Sequence, residues 1–588
     1  MSEEKQFSDL DKKKHTGAHI LASAVAKHLE DEKVDIKFGI GPPIEYGFYY
    51  DFDLGGRALT EADFKGIEKA MKHIVKQNLP FVHREVSIAQ AREISKDQPY
   101  KLELLADFEA KGITTVTYYS IGKFEDLCRG NHVDSTGKVG AFKIDKVAGA
   151  YWKGDEKNPM MQRIYVLMFD TQEELDAHVA MLEEAKKRDH RKLGKELDLF
   201  AFSDLIGPGL PLFTPRGTIL RDELTRYVIE LQEPLGYKNV DIPHLTNTDL
   251  YKTSGHYDKY GEDLFKFNMG EREFAVKPMN CPHHTQIFDS RQRSYKEMPI
   301  AYYNITKVYR NEQSGELQGL SRVLSITQDD GHVFCRPDQI QQEAGKIYSM
   351  IKTFYETLGM KLHVRLSRRD PQNPDKYLGD DALWLNAESA LKEVLSNAGI
   401  TEFIDGPGEA AFYGPKLDFM IKDAIGREWQ VATIQLDFNM PMRFNLSYVD
   451  ETNQKQHPVM IHRAVLGSVE RFMSIMIEHF GGNFPTWMSP EQVRILPISD
   501  NFIDHAKDVY QILKSAGVRV EIDDRAESLG KKIREAEIWK VPYSLIIGEK
   551  EVAAKTVTPR KRHTGDMPAV SAQEFADMII KEIKERSL

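Results

Sequence analysis

Between Glu173 and Lys195 the chain is rich in Glu, Lys and Arg, with Leu175, Val179 and Leu182 at helical spacing, until Gly194 and a new start at LDLFAF end the pattern. This predicts a linker helix over 173–195 between an N-terminal unit, residues 1–172, and a central one. From 196 to 490, runs of period-two alternation are joined by longer helical stretches, as in an antiparallel sheet with helices packed on it. Beyond 491 the runs VRILPI, DHAKDVYQILKSAG, VRVEID, SLGKKIREAEIWK and YSLIIG read as strand, helix, strand, helix, strand. With Gly517 closing the first of those helices, they predict a small α/β domain over 491–588. No self-similar period of about 20 to 50 residues is present, so the chain is a mosaic of domains rather than a solenoid or propeller.

Composition narrows the class. The chain has 588 residues, 41% hydrophobic and 29% charged, which fits several ordinary globular cores and argues against a disordered or collagen-like polypeptide. No apolar run approaches the roughly eighteen residues that cross a bilayer, and MSEEKQFSDLDKKKH lacks the apolar centre of a secretory signal. The expectation is a cytoplasmic protein without a membrane partner. Three scattered cysteines, Cys128, Cys281 and Cys335, make no disulfide framework, so metal binding or catalysis is their better use. A net charge of −11 (79 basic against 90 acidic residues) repels nucleic acid overall, leaving any RNA contact to local patches such as KKRDHRKLGK (186–195) and RKRH (560–563), each also readable as a solvated basic face.

The central region carries the densest chemistry. IAYYNITKVYRNE, the polar loop QSGELQGLS and RVLSITQDDGHVFC read as a long hairpin. Period two puts Arg310 with Glu312 on one face, and Gln328, Asp330 and His332 together on the return strand. Such a polar face is either a solvated edge or a site. Further on, Gly467 precedes a helix whose stripe is Phe472, Ile475, Met476 and Phe480, with Glu470 and Arg471 beside it. An arginine in a first helical turn opposes the macrodipole unless an anion is bound there. Arg310, Arg322 and Arg471 therefore suit a nucleoside triphosphate, whose oxygens match planar guanidinium forks. No GxxxxGK[ST] or GxGxxG segment accompanies them, which disfavours P-loop and Rossmann sites.

A second set lies near the N-terminus. In KHTGAHILASAVAKHL, His15 and His19 stand at i and i+4 on one helical face, and DLCRGNH brings Cys128 and His132. By spacing these four can hold a metal, or they are ordinary polar residues near a loop.

The runs YRNE, TQDDGH and GSVER resemble the second and third signature motifs of class II aminoacyl-tRNA synthetases, and Pro243 resembles the motif-one proline near the dimer interface. KPMNCP, RNEQSGELQGL, AFYGPKLDF, TIQLDF and HRAVLGSVERF are similar, within that class, to the threonyl-tRNA synthetase family, and the likeness runs over essentially the whole chain. The resemblance implies a multidomain α+β and α/β fold: an N-terminal α+β editing domain, a central class II antiparallel sheet with helices, and a C-terminal α/β anticodon-binding domain. The small ubiquitin-like domain that many members carry ahead of the editing unit has no counterpart in the sequence. The implied activity is ligation of L-threonine to tRNA(Thr) with ATP and Mg2+ by a homodimer. A binding protein that kept only the fold would show decayed arginines or ligands, and a prolyl or seryl enzyme would lack the Cys–His trio.

The same resemblance assigns the residues. One zinc ion per subunit is implied at Cys281, His332 and His462, a three-ligand set that leaves a coordination position open. His283 and Cys335 are rivals by proximity alone. Threonine is expected at Met279, Gln328, Asp330, Tyr413, Gln435 and Ser468, with Asp330 pairing with the hydroxyl or the ammonium. ATP is expected at Arg310, Glu312, Arg322, Gln430 and Arg471, with Lys416 also in the catalytic set. Gln430 and Gln435 are five apart, hence on opposite faces of a regular strand, so either a bulge intervenes or one of them contacts nothing. Zinc that reads the hydroxyl separates threonine from valine, but serine lacks only a methyl, worth about 1–3 kcal/mol, so a second sieve is needed. His15, His19, Lys101, Asp126, Cys128 and His132 resemble the site that hydrolyses seryl-tRNA(Thr), with a positioned water and no metal. Arg562 is the implied anticodon contact.

Overall fold

The structure, a computed structural model, describes residues 8–588 and separates into two compact units divided at Glu183/Glu184. In the first, the helix Asp9–His28 begins where Ser8 Oγ accepts from Asp11 N at 3.1 Å, with Asp9 and Asp11 in the first turn and Lys27 and His28 in the last, the charge order the helix dipole favours. Its small apolar face (Ala18, Leu21, Ala22, Val25) packs with Ile67 and Met71 of the helix Glu61–Gln77 against Phe48, Tyr50, Ile164 and Val166 of a five-stranded antiparallel sheet. A second sheet of three strands, Val82–Ser87, Thr115–Ile121 and Phe124–Leu127, carries the polar run that ends at Cys128.

The expected linker helix is two helices. Gln172–Arg188 ends before Asp189, whose Oδ1 accepts from Arg191 N at 2.8 Å and so caps a separate helix, His190–Glu196. An aspartate with a free main-chain amide two residues on is a better cap than helix interior, and the helical charge pattern of this stretch hid the break.

In the second unit an eight-stranded sheet runs in the order Lys238–Asn239, Ile300–Tyr309, Ser325–Cys335, Val459–Ala464, Glu428–Asp437, Lys416–Lys422, Leu362–Arg368, Ile404–Pro407. Every neighbouring pair is antiparallel except the two at the edges. The hairpin strands are shorter than the sequence pattern suggests: the first ends at Tyr309 and the second begins at Ser325. One face of the sheet carries Val333, Leu417, Phe419, Ile434, Leu436 and Ile461, buried by the helices Ile340–Thr357 and Val469–Phe480. The other face carries the polar side chains. The C-terminal strands Val520–Ile522, Val493–Pro497 and Tyr543–Ile547 are parallel, with Thr556–Lys561 added antiparallel, and the helices Ile503–Ser515 and Leu529–Ile538 lie between the strands in sequence as the alternation predicts.

Candidate active site

Residues opposite one another in a sheet share a face, and the register lines up His332, His462, Gln435 and Lys416 across four adjacent strands. One step along, Asp330, Thr433 and Asp418 continue the same face. Cys281 approaches it from the first turn of the helix Cys281–Asp289. The result is a cavity of about 300 Å³ whose wall includes Met279, Cys281, Arg310, Glu312, Arg322, Gln328, Asp330, His332, Tyr413, Gln435 and His462.

Within it, ligand atoms of Cys281, His332 and His462 all lie within 4.8 Å of one another, and all three side chains are buried. His332 Nδ1 sits 2.8 Å from His284 Nδ1, while its Nε2 is buried with no hydrogen-bond partner. His462 Nε2 is 3.1 Å from Asp437 Oδ2, a carboxylate–imidazole pair of the kind that fixes a metal-binding ring. A buried thiol, two buried imidazoles and an unsatisfied ring nitrogen fit a zinc-type ion. Neither rival joins them. Cys335 lies three residues past His332, hence on the opposite face, inside the helix-covered core, and His283 Nε2 is engaged 2.5 Å from Thr246 Oγ1.

Burial pushes the Asp330 carboxyl up to about 6 against the pull of His462 and Arg463. Tyr413 OH donates to Gln435 Oε1 at 3.3 Å, while Gln328 Oε1 and Gln435 Nε2 are buried without partners. Unsatisfied buried amides are costly, by about 1–3 kcal/mol each, and mark where a polar ligand completes the network.

The motif arginines stand at the cavity and its rim. Arg322 bonds Glu312 at 2.8 Å and Glu316 at 2.7 Å, and Arg471 Nε donates to the Ser321 carbonyl at 3.0 Å. Loss of hydration, then repulsion from Arg322 and Arg310, lowers the pKa of Arg471, a field that an anion relieves. Glu470 turns inward instead, accepting from Thr327 N at 2.6 Å and pairing with Lys307 at 2.6 Å, which locks the helix Val469–Phe480 to the hairpin.

Lys416 and Gln430 are not part of the cavity wall. Both are tied to Asp418, a fully buried carboxylate that also takes Ser367 Oγ at 2.7 Å and Arg365 at 3.2 Å. The two glutamines nevertheless share a face, because the ladder shifts between Phe419 and Met420: Ala432 pairs with Phe419 and Gln430 with Met420, leaving Val431 as the extra residue of a β-bulge. Ser468 is the N-cap of its helix, its Oγ accepting from Arg471 N at 3.2 Å. Arg562 donates to the carbonyls of Lys540 and Phe484, and its pKa falls to about 10 through burial, so in this conformation the guanidinium clasps backbone.

Four contributors went unnoticed in the sequence: Asp418, Asp437, the buried cavity-wall residue His256, and Tyr50. The first two were legible as polar residues at period two in KLD and TIQLD, beside Lys416 and Gln435.

In the first unit, a cleft lined by His15, His19, Tyr50, Lys101, Asp126 and Cys128 gathers the N-terminal set. Cys128 Sγ is 3.1 Å from His132 Nε2 and 3.4 Å from His15 Nε2, and the rings of His15 and His132 stack at 4.2 Å. Lys101 Nζ is 2.5 Å from Asp126 Oδ1, and Tyr50 OH donates to the same carboxylate. Burial lowers the pKa values of His15, His19 and His132 and pushes the Cys128 thiol up to about 11, so imidazoles and thiol alike stand neutral near pH 7.

An antiparallel sheet backed by helices, with arginines from the hairpin and from the following helix meeting over its polar face, defines the catalytic core of a class II aminoacyl-tRNA synthetase. Residues 265–480 match the family described as tRNA synthetase class II core domain (G, H, P, S and T), residues 492–582 the anticodon binding domain, and residues 116–165 the threonyl and alanyl tRNA synthetase second additional domain. The threonine–tRNA ligase of Cytophaga hutchinsonii is 49% identical over 578 residues, 97% of this chain and 88% of that protein. That of Thermotoga neapolitana is 48% identical over 575 residues, 98% and 88% of the two chains. A crystal structure of the RNA binding domain of threonyl-tRNA synthetase from Cryptosporidium parvum Iowa II superposes with a TM-score of 0.65 at 39% identity, covering 67% of this chain and 98% of that one. The chain belongs to the threonyl-tRNA synthetase family.

Proposed function

We infer that the protein is a threonine–tRNA ligase: it activates L-threonine with ATP, transfers the threonyl group to tRNA(Thr), and clears seryl-tRNA(Thr) at its N-terminal site. The observation that carries the amino-acid specificity is the Cys281–His332–His462 cluster in the wall of a cavity that also contains unsatisfied Gln328 and Gln435 amides. Zinc held by that trio would supply an open Lewis-acidic position for the hydroxyl and amino groups, a recognition valine cannot meet. Asp330, at 3.5 Å from His332 Nε2, takes the ammonium or hydroxyl beside it. Arg310, Arg322 and Arg471 bind the triphosphate, accompanied by Mg2+, and stabilise the charge that develops at the α-phosphate as the carboxylate attacks. Glu312 orients Arg322 and, through it, the nucleotide. Gln430 is placed for the adenylate only if it leaves Asp418.

In the editing cleft neutral His19 and His132 hold the water whose oxygen bonds to the seryl ester carbon as the acyl–ribose bond breaks and the water's proton passes to the departing ribose oxygen; Lys101 and Asp126 orient the seryl group, and the protonated Cys128 serves as a packing and hydrogen-bonding group rather than a nucleophile. No metal is assigned there. Family membership supports assembly as a homodimer in the cytoplasm.

Threonine-dependent ATP–pyrophosphate exchange tests the reading: Arg310→Ala and Arg471→Ala each abolish it, and Cys281→Ser lowers bound zinc and threonine activation together. Normal exchange in either arginine variant removes the nucleotide assignment, and unchanged zinc in Cys281→Ser removes the metal assignment.

A further inference from the structure

His190 lies outside the cavity wall, and its side chain is 4% exposed. Its Nε2 is 3.0 Å from the main-chain nitrogen of Leu320 and its Nδ1 is 2.6 Å from Glu478 Oε1. Leu320 N–H can only donate, so Nε2 accepts and the ring proton sits on Nδ1, donated to the carboxylate. The His190 main-chain N–H donates to the same oxygen at 3.1 Å. Every polar atom of the ring is thus used, which distinguishes this Asp189–His190–Glu478 group from a metal site despite its ligand types.

The two partners belong to the two segments that carry the ATP arginines. Glu478 is on the helix Val469–Phe480 with Arg471, and Leu320 is in the hairpin loop with Arg322. The loop reaches the imidazole because residue 319 is glycine: its φ is +50°, and a Cβ there would stand 2.3 Å from His190 Nε2. One residue past Leu320, the Ser321 carbonyl accepts from Arg471 Nε at 3.0 Å and Ser321 Oγ lies 3.1 Å from Ser474 Oγ; Arg322 follows, held by Glu312.

We propose that His190 is a positioning residue for adenylate formation: its imidazole holds the 319–322 backbone against the helix Val469–Phe480, and so sets the spacing between Arg322 and Arg471. The inference rests on the assignment of ATP to those arginines.

An asparagine amide overlays Nδ1 and a glutamine amide overlays Nε2. His190→Asn therefore keeps the bond to Glu478 and drops the one to Leu320, whereas His190→Gln restores an acceptor for Leu320. In threonine-dependent exchange, His190→Asn raises KM for ATP by about 3- to 10-fold, the effect of one lost neutral hydrogen bond, with KM for threonine and zinc content unchanged. His190→Gln returns KM for ATP toward the wild-type value. Gly319→Ala pushes the loop off the same ring from the other side and reproduces the Asn phenotype, so the test survives if one variant does not fold. An unaltered KM for ATP in His190→Asn, or a Gln variant no better than Asn, overturns the proposal. Arg471→Ala is the separate control: if it leaves exchange normal, the nucleotide assignment itself fails, whatever the His190 variants show.

Discussion

Asp437 is a buried carboxylate that makes three hydrogen bonds, one of them with His462 of the Cys281–His332–His462 cluster. Its Oδ1 accepts from Asn439 N and Met440 N, both at 2.8 Å, and its Oδ2 faces His462 Nε2 at 3.1 Å. Asp437→Asn keeps shape and volume but gives up one acceptor. If the amide oxygen stays with the two backbone donors, the new NH2 confronts Nε2–H, donor against donor. The imidazole then has to shift its proton to Nδ1, the nitrogen whose lone pair faces away from Asp437. If the amide flips to serve His462, its NH2 faces two backbone N–H groups instead. Either arrangement weakens the orientation of one of three ligands, and supporting carboxylates of this kind are worth 10- to 100-fold in metal affinity, or about 1.4–2.7 kcal/mol. Competition with a chelator of known affinity measures the change, and threonine-dependent exchange at saturating zinc measures whether restored metal restores activity. Unchanged zinc affinity in a folded Asp437→Asn protein would refute the argument that this pair sets the tautomer of His462.

Three further outcomes follow from the geometry. His19→Ala removes a fully packed neutral imidazole from the editing cleft, so seryl-tRNA accumulates while threonyl-tRNA forms at the normal rate; continued clearance of serine would place hydrolysis elsewhere. Arg463→Met strands Asp329, since both side chains are 0% exposed and paired, and lowers stability by about 3–5 kcal/mol in urea denaturation; a loss under 1 kcal/mol would contradict the pairing. The Asp330 pKa is raised from 3.8 to about 6 in the metal-free fold, so the folded state holds the proton more tightly than the unfolded chain. This group's stabilising effect is therefore full below about pH 4 and is lost as pH rises through 6. Subtracting the pH profile of Asp330→Asn from that of the chelated wild type isolates that slope, and identical profiles would remove the shift.

Much of the secondary structure is legible in the sequence. The i, i+4 histidines of the first helix and the C-terminal strand–helix alternation follow from local periodicity, and local periodicity is what a linear pattern encodes. The break at Asp189 was not readable, because a capping aspartate and a helical aspartate look alike within a charged stretch. The bulge at Val431 was posed by the sequence as an alternative and decided by the ladder. Lys416, Gln430 and Ser468 came from motif likeness alone, and their neighbours in the fold are Asp418 and a helix end.

The sequence by itself determined the inventory: which residues can ligate a metal, which can grip phosphate, and which stretches form strands and helices. Cys281 and His462 stand 181 positions apart with His332 between them, and no local rule brings the three within 4.8 Å. Strand order and register did that, by placing His332 opposite His462 and both beneath the helix that starts at Cys281. The same register sent Cys335 to the other face and gave Asp437 to His462, because side-chain direction in a sheet alternates while chemistry in a sequence does not.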